Sequence, residues 1–255
     1  MENYTLFLNY FNKTPELMKK QLELVLKQSH QPMLVMACFL GVKNSLLFKE
    51  YTDFVRKNNL KNWKYTLSNH DFKYIGRYQL AINIPTDYVV MLDDDRLPSE
   101  DFCKKMVKIA KEKNCIVSQY GWELKKDENG TYRDMLGSFI SPNILLKKDI
   151  RKILIDEQKN LLDADYLCGG MVFHKKHLVH LFKEPILTDK TGEDIMFCLS
   201  AKQAGIKVLI YLPFIDGSKN DMLGHEDDGI SSTLASENAK KINKMRTLLI
   251  NKYKQ

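Results

Sequence analysis

The sequence has no Cys-x-x-Cys pair and only five cysteines in 255 residues, an odd number. They stand at positions 38, 103, 115, 168 and 198, several of them inside apolar runs. Structural zinc sites and disulfide frameworks use paired cysteines at regular spacings. We therefore expect reduced, buried cysteines that act as small hydrophobic residues of a cytoplasmic protein, and no zinc site.

Long apolar runs are also missing. The longest covers residues 33–42, far short of the roughly 20 residues that a membrane-spanning helix needs. The N-terminal stretch lacks both a basic segment and an apolar core, so we expect no signal peptide. The sequence also lacks internal repeats and low-complexity tracts. These absences predict a soluble protein, or at most a peripheral one.

Positive charge is in excess but is not gathered in one basic arm. The chain has 39 Lys+Arg against 32 Asp+Glu, a net charge of +7. This balance favours anionic partners such as phosphates, acidic glycans or an anionic lipid surface. Nucleic acid is not favoured, because no helix combines basic and aromatic residues in a groove-reading pattern. With 44% hydrophobic residues, the chain can bury the core of one α/β domain.

Strand-like and helix-like segments alternate through the first half. Strands are predicted at residues 4–8, 33–40, 63–67, 87–92 and 115–119, and helices begin near Thr14, Asn44, Tyr74 and Ser99. This alternation predicts a mostly parallel sheet with helices on both faces. Ligands bind such sheets beyond the carboxyl ends of the strands.

The second half is less regular. We predict a hairpin tip at residues 125–130, irregular or helical structure at 138–160, a strand at 167–173, a helix at 193–204 and a strand at 206–212. The main domain covers residues 1–231, and residues 232–255 form a basic C-terminal helix packed on it or extending from it. That helix is either a solvated terminal element or a contact for an anionic membrane or acceptor; its basic residues are Lys240, Lys241, Lys244, Arg246 and Lys252.

Three adjacent carboxylates, Asp93, Asp94 and Asp95, directly follow the clearest strand. A polar turn before the next helix explains them in part. Like charges crowded together are unfavourable without a cation, however, and carboxylates of this kind hold divalent cations. The Asp-x-Asp pattern itself is weak evidence, since Asp163 and Asp165 also match it.

Other candidates are individually ambiguous. Glu193 and Asp194 begin a helix, where the helix dipole alone favours acids, but a catalytic base suits the same position. Gly169-Gly170 permits close approach of a ligand to the backbone, or marks a strand bulge. Arg77 is either a bidentate ligand for a diphosphate or a surface arginine, and His225 is a lone histidine among acids. His174, His177 and His180 suggest a solvated face.

The order of these motifs resembles that of the GT-A glycosyltransferases, closest to the large "family 2-like" group. The succession runs Thr14-Pro-Glu-Leu, Gly76-Arg-Tyr-Gln-Leu-Ala, Asp87-Tyr-Val-Val-Met-Leu-Asp-Asp-Asp-Arg-Leu-Pro, Cys168-Gly-Gly-Met, Gly192-Glu-Asp-Ile and His225. It covers about residues 4–225. The resemblance implies a Rossmann-like α/β sandwich that binds a nucleotide-sugar and a divalent cation, Mn²⁺ or Mg²⁺.

The resemblance also implies roles for the matched residues. Asp95 and Asp93 would bind the metal, Asp93 also facing the ribose or a metal-bound water, and His225 would complete the metal shell. Asp194 would be the base and Glu193 would bind the acceptor or the donor sugar. The donor itself would be bound by the residues Asn9, Tyr10, Arg77, Asp93, Asp94, Gly169 and Gly170.

The sequence departs from its relatives at two points. Many of them have Asp-Asn-Gly or Asp-Gly-Ser after the second strand, where the acid helps read the base; this chain has Phe39-Leu-Gly-Val-Lys-Asn44. No Gln-x-x-Arg-Trp follows Glu193-Asp194, which argues against a processive polysaccharide synthase.

We hypothesise an enzyme that transfers one sugar from a nucleotide-sugar, preferably a UDP-sugar, to a hydroxyl of a glycan, lipid-linked or protein acceptor, in glycan or surface polysaccharide biosynthesis. The alternatives are a metal-dependent sugar-nucleotidyltransferase or phosphohydrolase, and a non-catalytic binding module on the same fold.

Overall fold

A computed structural model describes residues 2–11, 13–41, 45–72, 74–140, 160–183, 185–186, 191–212, 222–225 and 239–254. The helices are α1 Pro15–Leu26, α2 Ser45–Lys57, α3 Ile75–Ala81, α4 Phe102–Lys113, α5 Leu178–Phe182, α6 Glu193–Gln203 and α7 Ala239–Tyr253. The strands are β1 Tyr4–Tyr10, β2 Leu34–Leu40, β3 Trp63–Ser68, β4 Tyr88–Asp93, β5 Arg96–Pro98, β6 Cys115–Ser118, β7 Gly121–Lys126, β8 Tyr132–Ile140, β9 Leu161–Asp163, β10 Tyr166–Leu167, β11 Gly170–His174, β12 Lys207–Tyr211 and β13 Met222–His225.

Eight of the described strands form one twisted central sheet, in the order β3-β2-β1-β4-β11-β6-β12-β9. Four neighbouring pairs are parallel: β3-β2, β2-β1, β1-β4 and β6-β12. Strand β11 runs antiparallel to both β4 and β6, and β9 runs antiparallel to β12. The predicted fold class, a mostly parallel α/β sheet, is therefore confirmed. The carboxyl ends of β1, β2, β3, β4, β6 and β12 share one edge.

The start of α1 shows how local sequence sets an element. Thr14 caps the helix, its hydroxyl accepting a hydrogen bond from the amide of Leu17 at 3.3 Å. Pro15 occupies the first turn, where its missing N–H costs nothing, and Glu16 adds a favourable charge there. The helix therefore begins where the sequence predicts it.

Helices cover both faces of the central sheet. Buried side chains of α1, α2 and α4 pack on one face, and those of α3, α5, α6 and α7 pack on the other. Strand β4 contributes to both cores, with Val90 and Leu92 on the first and Val89 and Met91 on the second. Burial on both faces explains why β4 is continuously apolar.

The second half corrects part of the sequence-based prediction. The hairpin tip is confirmed between β7 and β8, which are antiparallel. Residues 138–140 belong to β8 rather than to an irregular segment, because they pair with β7; residues 141–159 lie outside the described part. The predicted strand at 167–173 is split into β10 and β11 by residues 168–169. The predicted cap at Asn44 also lies outside the described residues.

The C-terminal helix is confirmed over Ala239–Tyr253. Leu249, Ile250 and Tyr253 are buried in the core that α6 helps to form. A solvated terminal element would expose these residues, so α7 instead packs on the domain. The division of the chain at residue 231 stays a prediction.

No helix of the described segments has both the length and the apolar character that a bilayer crossing demands. All five cysteines are free thiols; four are buried and Cys168 is partly exposed. Burial raises the pKa of the Cys38, Cys103, Cys115 and Cys168 thiols to about 12. These thiols are therefore inert at neutral pH.

Candidate active site

The three carboxylates form a turn, here called the acidic turn, between β4 and β5. Asp93 is the last residue of β4, and Asp94 and Asp95 lead into Arg96. Gln21 of α1, which is fully buried, donates from Nε2 to the backbone oxygens of Asp93 at 2.8 Å and Arg96 at 2.7 Å. A helix thus fixes the backbone of the turn from behind. Sequence reasoning missed Gln21, whose only signal is a polar residue on the apolar face of α1.

Asp94 joins the acidic turn to β1. The amide of Phe11 donates to its Oδ2 at 3.0 Å. Burial raises the pKa of Asp94 to about 7, and the negative charges of Asp93 and Asp95 raise it as well. The hydrogen bond from Phe11 acts in the opposite direction and lowers the pKa. Asp94 was predicted to bind the nucleotide-sugar; in this structure its carboxyl group holds the turn against β1.

Arg77 of α3 lies in the centre of the site and is only 4% exposed, so it is not a surface arginine. Its Nη1 donates to the carboxylate of Asp93, and its Nη2 lies 3.5 Å from Oε1 of Glu193. One guanidinium group therefore bridges the acidic turn and the start of α6. Contact between Arg77 and a diphosphate stays a prediction.

The start of α6 brings Glu193 and Asp194 to the same edge of the sheet. Both acids are buried. Burial raises the pKa of Glu193 to about 7, as does the charge of Asp194, while Arg77 and Arg246 act in the opposite direction. Oδ1 of Asp194 accepts a hydrogen bond from the amide of Ile195 at 2.8 Å and lies 3.7 Å from Nη1 of Arg246. Two neighbouring carboxylates thus each face an arginine.

Gly169 and Gly170 lie at the beginning of β11, beside the acidic turn. Gly169 has φ +72°, and a side chain there would overlap the guanidinium group of Arg96. Gly170 pairs with Leu92 of β4. The glycines do permit close approach, but in this structure the group that approaches Gly169 is the Arg96 side chain. Their predicted contact with the donor sugar is untested.

Arg96 is part of the motif that follows β4, but the sequence predicted no role for it. Its side chain is buried, its guanidinium carbon lies 4.2 Å from the centre of the Tyr120 ring, and its Nε lies 3.3 Å from Oδ1 of Asp95. A cation stacked on an aromatic ring and paired with a carboxylate is well stabilised. The signal for its role was its position directly after three acids.

The backbone of His225 lies beside the acidic turn. Strand β13 runs antiparallel to β5, and His225 is in register with Arg96, the residue after Asp95. Its side chain lies outside the described part of the structure. Asp93 and Asp95 supply carboxylate oxygens, the ligands that Mn²⁺ and Mg²⁺ accept. Among the described side chains, however, no three His, Cys, Asp or Glu residues converge in one metal-binding group.

Asn9 and Tyr10 end β1 next to the acidic turn, and Asn9 is in register with Asp93. Tyr10 is 1% exposed and stacks on Phe39 with ring centres 5.5 Å apart. The ring of Tyr10 is therefore part of the core, because α1 and α2 cover that face. The contacts of Asn9 and Tyr10 with a nucleotide stay predictions.

The site holds more carboxyl groups than guanidinium groups. The carboxyl groups belong to Asp93, Asp94, Asp95, Glu193 and Asp194. Three guanidinium groups, of Arg77, Arg96 and Arg246, contact four of these acids, and Asp94 accepts a hydrogen bond from a backbone amide. Because the pKa values of Asp94 and Glu193 are raised to about 7, these two acids are only partly ionised at neutral pH. Asp93 and Asp95 fit a divalent cation by the type of their donor atoms.

Asp165 and His177, which belong to two weaker sequence signals, are buried residues that stabilise the fold. Asp165 of the second Asp-x-Asp match is buried, accepts a hydrogen bond from the amide of Leu124 at 2.7 Å and pairs with Lys202 at 3.2 Å and with Lys254. The prediction of a solvated histidine face is wrong for His177, which is 1% exposed and bonds to Asn114 at 3.3 Å. Burial, reinforced by Lys176, lowers its pKa to about 4.

Comparison with known protein families finds no match for this sequence. Comparison with curated proteins finds no match either. Similarity appears in the solved structures. One is the crystal structure of GalNAc-T7 with UDP, GalNAc and Mn²⁺, at a TM-score of 0.59 and 12% identity over 82% of this chain and 42% of that one. Another is the mannosyltransferase PcManGT from Pyrobaculum calidifontis in complex with GDP-Man and Mn²⁺, at a TM-score of 0.57 and 14% identity over 83% of this chain and 55% of that one.

This chain therefore spans about half the length of the solved structures that it matches. At these identities the likeness shows the fold. The predicted architecture is confirmed: the chain has the GT-A fold, the α/β architecture that these two glycosyltransferases share.

Proposed function

We propose that this chain is a metal-dependent glycosyltransferase that moves a single sugar from a nucleotide-sugar, preferably a UDP-sugar, to an acceptor hydroxyl. The observation that carries the proposal is the arrangement at the carboxyl edge of the sheet. The acidic turn after β4 faces Glu193 and Asp194 at the start of α6, and Arg77 bridges the two. The fold supports the proposal, since two proteins that share it were solved with Mn²⁺ and a nucleotide or nucleotide-sugar.

Asp93, Asp95 and, by prediction, His225 would hold the cation. A carboxylate has two oxygens, so it can accept from an arginine and bind a cation at the same time. A bound cation offsets the negative charge of a departing diphosphate. The excess of carboxyl groups over guanidinium groups at the site supports this assignment.

The reaction itself needs one bond made and one broken. The acceptor oxygen forms a bond to the anomeric carbon of the donor sugar, and the bond from that carbon to the diphosphate oxygen breaks. The nucleoside diphosphate leaves with the electron pair, and the acceptor proton passes to a carboxylate. Asp194 is assigned this base role because it is buried and lies at the rigid start of a helix. Glu193 would bind the acceptor or the donor sugar.

Several acceptor classes are compatible with this reaction. A glycan, a lipid-linked sugar or a protein hydroxyl would each suit the reaction, and five free thiols suit the cytoplasm. Peripheral contact between the basic face of α7 and an anionic membrane stays a prediction. Nucleic acid is not expected as a partner.

The first test is calorimetric titration of UDP-glucose, UDP-galactose, UDP-GlcNAc, UDP-GalNAc and GDP-mannose into the protein, with and without Mn²⁺. We expect Mn²⁺-dependent binding of one donor. Asp95→Asn should weaken that binding at least about 10-fold, because one carboxylate ligand is lost. Asp194→Asn should bind the donor normally and lose turnover by about 10² to 10⁴-fold, the usual value of a general base.

Several outcomes would contradict the proposal. Binding of no donor in the presence of Mn²⁺ would favour a phosphohydrolase, a nucleotidyltransferase or a binding module. Release of phosphate or pyrophosphate instead of a nucleoside diphosphate would identify one of the first two. Normal turnover by Asp194→Asn would remove the base assignment alone.

A further inference from the structure

The C-terminal helix reaches the proposed catalytic acids. Arg246 of α7 extends toward the start of α6, where its Nη1 lies 3.7 Å from Oδ1 of Asp194 and 3.4 Å from the hydroxyl of Thr191. Its Nη2 lies 3.5 Å from the hydroxyl of Tyr166, whose ring centre is 5.6 Å from the guanidinium carbon. The Arg246 side chain is 12% exposed. Its charged end is therefore held among residues of the site and is not in bulk solvent.

The packing of α7 on the rest of the domain places Arg246 next to Asp194. Gly192 has φ +83° and directly precedes α6, and a side chain there would overlap Leu249 of α7. Asn251 exchanges two hydrogen bonds with the backbone of Tyr132, one at 2.6 Å and one at 3.2 Å. Lys254 pairs with buried Asp165. Contacts on β8, on α6 and at the helix end thus hold Arg246 at a fixed distance from Asp194.

A physical problem at the site explains what this arginine does. Glu193 and Asp194 are adjacent and both buried, and two like charges in a poorly solvated place disfavour each other's ionisation. A base must be ionised before it can accept a proton. Arg77 compensates Glu193 at 3.5 Å, and Arg246 compensates Asp194 at 3.7 Å. The guanidinium groups beside the two acids therefore come from different helices, and Arg77 is shared with Asp93.

We propose that Arg246 is a positioning residue for Asp194, so that the C-terminal helix is a working part of the active site. This inference rests on the proposed function, in which Asp194 is the base. Arg246 holds Asp194 ionised and oriented while Thr191 and the Tyr166 ring hold Arg246. The contacts described above for Arg246 are with Asp194, Thr191 and Tyr166, at the start of α6 and on β10. We therefore expect Arg246 to act on turnover and to leave donor binding unchanged.

The test compares Arg246→Met with the wild type. Methionine keeps much of the aliphatic volume of the side chain and removes its charge. The donor that binds in the calorimetric panel is used as probe, and release of its nucleoside diphosphate in the presence of Mn²⁺, with water as acceptor, measures turnover. We expect donor affinity within about 2-fold of the wild type and turnover lower by about 10²-fold, the cost of a misplaced catalytic group. Arg246→Lys, which keeps a positive charge, should recover part of the loss.

A double variant separates positioning from general damage. If Arg246 acts through Asp194, Arg246→Met combined with Asp194→Asn should be no slower than Asp194→Asn alone, because residues that act as a unit are not additive. Lys244→Met is the matched control: Lys244 is exposed on the same helix, and its replacement should leave turnover unchanged.

The contradicting results are distinct. Full turnover by Arg246→Met, or losses that multiply in the double variant, would overturn the positioning role. Loss of donor affinity together with a lowered Tm would make Arg246 a structural residue. If the wild type binds no nucleotide-sugar, the proposed function fails and this inference fails with it; an active wild type with an equally active Arg246→Met defeats the inference alone.

Discussion

Buried carboxylates determine the behaviour of the site at the scale of single residues. Glu193 is almost fully buried, next to Asp194. The guanidinium of Arg77, which lies 3.5 Å from its carboxylate, also bonds to Asp93. Charge shared in this way compensates each acid only partly. As a result the pKa of Glu193 is raised to about 7 by burial and by Asp194, in spite of Arg77.

The raised pKa of Glu193 gives stability a definite pH dependence. The folded protein binds the proton of Glu193 more tightly than the unfolded chain, in which the pKa is 4.5. Its contribution to the free energy of unfolding is fully present below about pH 4.5 and is lost as pH rises to about 7, by at most about 1.4 kcal/mol per pH unit. Glu193→Gln should reduce this slope, and part of it should remain because the pKa of Asp94 is also raised to about 7. Urea unfolding of metal-free protein in EDTA between pH 4.5 and 8 measures it.

Glu123→Gln provides the control for that experiment. Glu123 is exposed on β7, so its replacement should leave the slope of stability against pH as in the wild type. A Glu193→Gln protein that retains the full wild-type slope would show that Glu193 is not the group that binds the proton.

At the scale of secondary-structure elements, the acidic turn depends on a helix that contributes no acid. Gln21 is on α1, yet it bonds to backbone oxygens 72 and 75 residues away along the chain. These oxygens belong to Asp93 and Arg96, the two ends of the turn. The position of the carboxylates is thus set by packing of α1 against β4 and β5.

Replacement of Gln21 by leucine should loosen the acidic turn. Leucine fills a similar volume, but two buried carbonyl oxygens lose their donor, at a cost of about 1–3 kcal/mol. We expect lower stability and also weaker Mn²⁺-dependent binding of the donor. Chemical unfolding and calorimetry measure the two effects.

Gln28→Leu is a closely matched control. Gln28 follows α1, donates to the backbone oxygen of Ser99 at 2.6 Å and accepts from the amide of Cys103 at 3.1 Å. Its loss should cost similar stability and leave donor binding unchanged, because it supports α4 and not the turn. Equal effects of both variants on donor binding would indicate general loosening of the fold.

These elements also show which parts of the structure could be predicted from the sequence. Strand β4 and the acids after it were predictable, because a strand buried on both faces is continuously apolar and its end is marked by charge. The antiparallel direction of β11 was not, because an apolar run with two glycines has the same pattern in either direction. The run is split at residues 168–169, where Gly169 has φ +72° and lies against the Arg96 side chain, a tertiary contact that no local pattern reveals.

The roles of the arginines were the least predictable part of the site. Arg77 and Arg246 each stand in ordinary helical sequence, and only tertiary packing brings them to Glu193 and Asp194. The lysines of α7 indicated a solvated surface, whereas its buried Leu249 and Ile250 bring the helix onto α6. A sequence alone gives the residue types on a helix and not the partner of each face.

At the scale of the whole molecule, the net charge of the chain is opposite in sign to the excess of acids at the site. The chain has a net charge of +7, while the site combines five carboxylates with three guanidinium groups. A positive molecule attracts an anionic nucleotide-sugar from a distance, and the local negative excess favours the divalent cation that accompanies it. The two features are therefore compatible and act over different distances.

The chain has two Asp-x-Asp motifs, and variants of the two should differ in their effects on stability and on donor binding. Asp165 links three parts of the molecule: the amide of Leu124 on β7, Lys202 on α6 and Lys254 after α7. Asp165→Asn should lower the free energy of unfolding by about 1–3 kcal/mol, because the two lysines are partly exposed and lose only part of their stabilisation. It should leave Mn²⁺-dependent donor binding intact.

Asp95→Asn should differ from Asp165→Asn in donor binding. Because it removes a proposed metal ligand, Mn²⁺-dependent donor binding should weaken at least about 10-fold. The stability of the metal-free protein should also fall, because Asp95 is the carboxylate that pairs with the buried Arg96 side chain at 3.3 Å. Urea unfolding in EDTA and calorimetry with Mn²⁺ test both variants, and Asp163→Ala, an exposed position, should change neither quantity. Donor binding lost in Asp165→Asn but kept in Asp95→Asn would move the metal site to the second match. It would also undermine the mechanism, since Asp165 is bonded to the two lysines and not to the acids of α6.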